Sequence, residues 1–258
     1  MERSWQYDKG GQKQGASNMI YGLRPLIEAI KSGKQIEKIF LQAGAGGELM
    51  AELKALIMQN KVPAQQVPTE KLNRLTSGNH QGVVGFLAVI EYASLENILP
   101  AVFEDGKVPL VVVFDRITDV RNFGAMVRTA ECAGVNVVVV PSQGNAAIGE
   151  DAVKTSAGAL MRVPVCKSDN LKTTIHFLKA SGLQVVAATE KARMLYTEAD
   201  FSKPTAIVMG SEEDGVSNEL LKLCDTSLRI PLQGEIASLN VSVACGVFLF
   251  EVIRQRGA

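Results

Sequence analysis

Apolar residues recur at helical spacing in MIYGLRPLIEAIKSG (residues 19–33) and in ELMAELKALIMQN (48–60), which predicts two helices, the first stopped by glycine. Between them EKIFLQ reads as a short strand. KVPAQQVP and TEKLNRLTSG then lead to GVVGFLAVI (82–90), a further strand. These elements make a compact α/β unit over 18–90, and the looser EYASLENILPAVFEDGKVP that follows places a linker at 91–107. From Pro109 the pattern changes. PLVVVFD, NVVVVP, MRVPV, LQVVAAT, TAIVMG and TSLRIP are nearly continuous apolar runs, and amphipathic stretches separate most of them. Strands this apolar belong to a parallel sheet covered on both faces, so residues 108–258 read as an α/β domain with crossover helices. Its last helix begins at Ser238 and ends near IRQ.

Composition narrows this only a little. Of 258 residues, 47% are apolar, enough for well-formed cores. Lys plus Arg and Asp plus Glu both number 27, so no overall basicity advertises a nucleic acid; local patches are not excluded. Residues 1–17 are polar and glycine-rich, without the apolar stretch of a signal peptide, and read as a flexible leader. Cys132, Cys166, Cys224 and Cys245 are scattered, with only His80 and His176 beside them. That pattern argues against a metal cluster and for a reducing, cytoplasmic setting.

An α/β sheet invites a nucleotide, but the first strand-to-helix turn, FDRITDVRNFGAMVRTAE, has one glycine where a dinucleotide fingerprint needs three, and no Walker loop occurs. The turn does offer Asn122, Gly124 and Arg128. Arginine early in such a helix can grip a phosphate, or it can pair with Glu131 or Glu104 on the surface. A second stretch, MGSEEDGVSNELLKLCD, sets two glycines around three acidic residues. It suits close backbone approach to a ligand, or simply the capping of a helix. The third, IPLQGEIASLNVSVACG, is apolar apart from Glu235 and a few placed polar residues. Ser238 could cap the last helix, but Asn240 calls for a buried partner or a ligand. Three such turns at strand ends are what an active crevice looks like.

These three stretches resemble, in order and spacing, the signature motifs of the SpoU (TrmH) family of S-adenosylmethionine-dependent RNA ribose 2′-O-methyltransferases. The carriers are Asn-x-Gly with arginine four residues on, Met-Gly-x-Glu-x-x-Gly, and Ile-Pro…Gly…Ser-Leu-Asn-Val-Ser-x-Ala. IYGLRPLIEAI and NHQGVVG are similar to the L30e-like substrate-binding domain of the group that methylates a guanosine ribose in 23S rRNA. The resemblance implies a deep trefoil knot in the second domain, a homodimer and an RNA substrate; methyl transfer needs no Lewis acid, so no metal is expected, and no apolar run reaches membrane-spanning length. The same resemblance implies catalytic positions Arg128, Asn122, Glu212, Ser238 and Asn240. Arg128 would activate the hydroxyl and Glu212 would orient or neutralise Arg128. S-adenosylmethionine would be held at Met209, Gly210, Ile230, Leu232, Leu239 and position 188 (Ala188, just before Thr189). Lys9, Lys13, Arg24, Lys31, Lys34, Lys71 and Arg74 are candidate phosphate contacts. The same chemistry on tRNA, or a catalytically silent RNA-binding factor, are the competing readings.

Overall fold

The computed structural model describes residues 18–257, which divide between Ala88 and Val89 into two compact units. The expected leader lies outside the described residues. In the first unit the order is β1 (Met19–Tyr21), α1 (Leu23–Lys31), β2 (Ile36–Gln42), α2 (Glu48–Gln59), β3 (Ala64–Val67), α3 (Thr69–Leu75) and β4 (Val83–Leu87). The strands form one sheet in the order β1-β4-β2-β3, in which only β2 and β3 run parallel. The helix expected from Met19 starts four residues later. Gly22, at φ 94°, takes a backbone turn that a helix cannot, and the residues before it pair with β4 instead. Leu26, Ile27 and Ile30 of α1 pack with Met50, Leu53 and Ile57 of α2 in the unit's main core.

The second unit contains α4 (Leu95–Glu104), β5 (Leu110–Phe114), α5 (Val120–Cys132), β6 (Val137–Pro141), α6 (Glu150–Thr155), β7 (Val165–Ser168), α7 (Leu171–Ala180), β8 (Gln184–Ala188), β9 (Met194–Leu195), β10 (Thr205–Met209), α8 (Asn218–Leu221), β11 (Thr226–Arg229) and α9 (Val241–Arg256). Its seven strands are all parallel, in the order β7-β6-β5-β10-β8-β11-β9. Successive residues of each strand feed opposite cores. Val111 and Val113 join Val137, Val139, Val185 and Val208 on one face, while Val112 and Phe114 join Val138, Val140 and α9 on the other. Burial on both faces is why these strands lack polar alternation.

Three expectations need correction. The 91–107 stretch is not a loose linker: α4 lies inside it, and its Leu95 and Leu99 belong to the second unit's core. The helix after Gly215 is a single turn, and the final helix begins at Val241 with Asn240, not Ser238, as its cap. No helix of the described residues is long and apolar enough to cross a membrane.

Candidate active site

The carboxyl ends of β5, β8, β10 and β11 converge with the start of α9, so the three unusual turns meet at one edge of the sheet. This is where an open parallel sheet binds ligands. Asp119 builds the first turn: its carboxylate accepts from the N–H groups of Arg121 at 2.9 Å and Asn122 at 2.8 Å. That cap starts α5 and sets Asn122 in its first turn. Asn240 does the same for α9, accepting from Ser242 N at 2.9 Å and Ser242 Oγ at 2.5 Å.

With its carbonyl oxygen so occupied, Asn240 turns its amide nitrogen inward. Nδ2 donates to Asn122 Oδ1 at 3.0 Å and to Glu212 Oε1 at 2.7 Å, and Asn122 Nδ2 donates to Glu212 Oε2 at 2.9 Å. Residues 90 and 118 positions from Asn122 thus close a triangle with it. The charged acceptor strengthens two of its sides. Glu212 therefore binds the two asparagines, not Arg128 as expected. Arg128 is exposed on α5 with no hydrogen bond or ion pair among the described residues. It pairs with neither Glu131 nor Glu104; Glu131 faces Arg162 instead. Six residues beyond Asn122 along a helix is an axial rise of about 9 Å. Ser238 is exposed and makes no hydrogen bond among the described residues.

Beside the triangle lies a cavity of about 300 Å³. Met209, Gly210, Ile230, Leu232, Leu239 and Ala188 all line it, as do Ser238 and Glu212. Phe248, Ala244 and Leu228 complete an apolar wall, and the charged groups of the lining are Glu190, Glu212 and Glu213. A second hollow, of about 450 Å³, shares Glu212 with the first and is bordered by Asn122, Asp119 and Thr118. Gly210 is glycine for want of space. A Cβ there would lie 2.0 Å from both Gly215 C and Val216 N. Gly124 is a packing residue too: a Cβ would lie 2.1 Å from Thr155 Oγ1, so it lets α5 approach α6 closely.

Two residues that position the site are absent from the sequence reading. Asp115, buried at the end of β5, accepts from Ser217 N at 2.7 Å and from Arg116 Nε at 3.2 Å. Arg116 takes φ 61° and reaches across to Asp214 at 3.1 Å and Gly215 O at 3.2 Å. Together they clamp the 211–217 turn to β5. A charged pair closing an apolar strand was the available signal.

Solved structures of similar fold include methyltransferases. An AdoMet-bound rRNA methyltransferase of Sinorhizobium meliloti is 27% identical, with a TM-score of 0.59 over 92% of this chain and 86% of that one. The SpoU methyltransferase AviRb of Streptomyces viridochromogenes, at 23% identity and the same TM-score, shares the fold over 92% of this chain and 90% of its own. SpoU methyltransferases carry the trefoil knot expected above. The chain belongs to the SpoU rRNA methylase family, whose model matches residues 109–250. Residues 19–93 match the RNA 2′-O ribose methyltransferase substrate-binding model. A protein of Staphylococcus saprophyticus assigned to the TrmH family of tRNA/rRNA methyltransferases is 34% identical over 92% of this chain and 96% of its own. A Bacillus subtilis relative with the same family assignment, YacO, is 31% identical over 92% of this chain and 95% of its own.

Proposed function

We propose that this protein transfers the methyl group of S-adenosylmethionine to the ribose 2′-hydroxyl of a guanosine in 23S rRNA, working as a cytoplasmic homodimer. The observation that carries the reading is the cavity. Its wall is apolar, and its charged lining consists of three glutamates with no Lys or Arg. Such a site suits an adenosyl group bearing a cation and opposes the phosphates of NAD or ATP. Met209, Gly210, Ile230, Leu232, Leu239 and Ala188 would hold the cofactor, the apolar side chains flanking its adenine and the tightly apposed 210–216 backbone offering hydrogen bonds. When bound, S-adenosylmethionine supplies an electrophilic methyl on a sulfonium.

The chain's own residues must then align the hydroxyl and manage its proton. Asn122, Glu212 and Asn240 hold the three turns in one arrangement, and Ser238, with no partner among the described residues, is available to the ribose. Among the described residues, none of the five donors of Arg128 has a partner. A guanidinium that stays charged is a poor base, so it lowers the hydroxyl pKa electrostatically and grips the adjacent phosphate; the proton leaves to phosphate or water. Exposed Val243 and Phe250 along α9 support the homodimer.

The rRNA target rests on the first unit, together with the Sinorhizobium meliloti rRNA enzyme that is similar across both units. A tRNA target is the second reading, favoured by the 33% identity to the A. aeolicus TrmH/SpoU tRNA modifying enzyme, a similarity covering 63% of this chain. Incubation with labelled S-adenosylmethionine and, separately, unmodified 23S rRNA and bulk tRNA tests both, with the label mapped by nuclease digestion. Methyl on a guanosine 2′-oxygen of 23S rRNA alone is the expected result. Label on tRNA alone moves the target to tRNA, and label on neither overturns the catalytic reading.

A further inference from the structure

A polar cavity of about 500 Å³ opens in the first unit where α3 gives way to the loop leading into β4. Asn73, Thr76, Ser77, Asn79, His80 and Gln81 line it, and no charged side chain does. Two main-chain N–H groups fix which way its key side chains face. Gly82 N donates to His80 Nδ1 at 3.0 Å, so the imidazole proton is on Nε2, where it donates to Asn73 Oδ1 at 2.8 Å. Leu23 N donates to Gln81 Oε1 at 3.1 Å. Both amide oxygens therefore point into the protein and accept one hydrogen bond there, and the NH₂ ends of Asn73 and Gln81 have no partner among the described residues. Thr76 Oγ1 likewise accepts from Gly78 N at 3.1 Å, leaving its proton to donate.

The loop is built to hold this arrangement. Gln81 takes φ 50° and Gly82 φ 79°, and Gly78 lies so close to the Tyr21 ring that a Cβ would fall 2.5 Å from Cε2. A preorganised, uncharged cavity with surplus donors selects a neutral ligand that presents acceptors. The cations nearby in sequence and fold are kept for something else. Lys71 of α3 and Lys38 of β2 both sit over the Phe40 ring, at 4.5 and 4.8 Å, and neither lines the cavity.

We propose that this cavity binds an unpaired keto base of the substrate RNA, guanine or uracil, through the amide donors of Asn73 and Gln81. The proposal rests on the RNA-methylating function given above. The keto oxygens of guanine and uracil accept where the exocyclic amines of adenine and cytosine would meet donor with donor. Lys38, Lys71 and Arg74 then serve the backbone on either side of that base.

The test uses the full chain and four hairpin RNAs that share a stem and differ only in having loops of guanosine, uridine, adenosine or cytidine. Binding is read by fluorescence anisotropy at fixed salt. Guanosine and uridine loops are expected to bind about tenfold more tightly than the other two. Asn73→Asp keeps the oxygen that His80 needs but exchanges the NH₂ donor for an acceptor, so it should shift the preference toward adenosine and cytidine. S-adenosylmethionine binding should be unchanged. Equal binding of all four loops by the natural protein overturns the proposal, as does an Asn73→Asp variant that weakens all four by one factor, the signature of added negative charge alone. If Asn73→Asp does not fold, the four-loop comparison with the natural protein decides by itself. Equal binding with RNA methylation intact removes the base pocket and leaves the proposed function standing. Absence of both RNA binding and methylation removes both.

Discussion

Gly210→Ala probes the cavity wall most directly. The added Cβ would lie 2.0 Å from Gly215 C, 2.0 Å from Val216 N and 2.3 Å from Gly215 O. Ordinary carbon contacts need about 3.5 Å, so the 215–216 backbone must retreat by roughly 1.5 Å. No flexible side chain can absorb this, because every close atom is main chain. The turn cannot retreat freely either: Ser211 O accepts from Gly215 N at 2.9 Å, and Arg116 and Asp115 bind Gly215 O and Ser217 N. Overpacking of this kind costs about 1–3 kcal/mol, which in a unit of this size lowers Tm by roughly 2–12 °C. The affinity for S-adenosylmethionine, measured by calorimetry, should fall at least tenfold, because the displaced backbone is cavity wall. RNA binding, read by anisotropy, should hold. Unchanged S-adenosylmethionine affinity in a variant whose Tm has fallen would refute the assignment of the 210–216 backbone to the cofactor wall.

Asn240→Ala removes the cap of α9 together with two sides of the triangle; it should lower stability by about 1–2 kcal/mol in urea unfolding and methylation by more than tenfold. Arg128→Lys keeps the charge and loses the planar fork, so methylation should fall steeply across the whole pH range with folding and S-adenosylmethionine affinity intact; a near-natural pH–rate profile would sink any role for the fork. Burial pushes the thiols of Cys166, Cys224 and Cys245 up to about 12, with Glu96 adding to the first and Asp225 to the second, while Cys132 is exposed. Near pH 8 their thiolate fraction is therefore on the order of one in ten thousand, so a disulfide reagent should label Cys132 first and the other three at rates that rise about tenfold per pH unit. Glu251 is held below the usual carboxylate range by its hydrogen bond from Arg254, so the stability it contributes is present above its unfolded pKa of about 4.3 and lost as pH falls through the lower folded value. The acid unfolding curve of Glu251→Gln should lack that component.

The parallel sheet was legible because its strands bury both faces, and such burial leaves no choice but continuous apolar runs like LVVVF and VVVV. The boundaries failed where local pattern and tertiary pairing compete. MIY continues the helical spacing of α1, yet it pairs with β4 once Gly22 breaks the chain direction. ENILPAVFE reads as a loose link because Pro100 sits inside it, although Leu95, Leu99 and Val102 lie on one buried face. β9 is only two residues long and carries no periodicity at all.

The site divides in the same way. The two motif glycines get their reasons only in three dimensions: Gly210, in the cavity wall, because a backbone lies against it, and Gly124, away from the cavity, because α6 does. Asn240 shows most clearly what a linear sequence hides. It caps α9, a duty expected of Ser238, and one acceptor oxygen is enough for that, as serine or aspartate would also supply. Only asparagine provides in addition the NH₂ that donates to both Asn122 and Glu212. An aspartate here would set a carboxylate against Glu212, and a serine would reach neither partner. The residue is chosen by the half of its side chain that faces away from its own helix. Because its partners lie 28 and 118 residues distant, that choice makes chemical sense only after the sheet has brought all three turns to one edge.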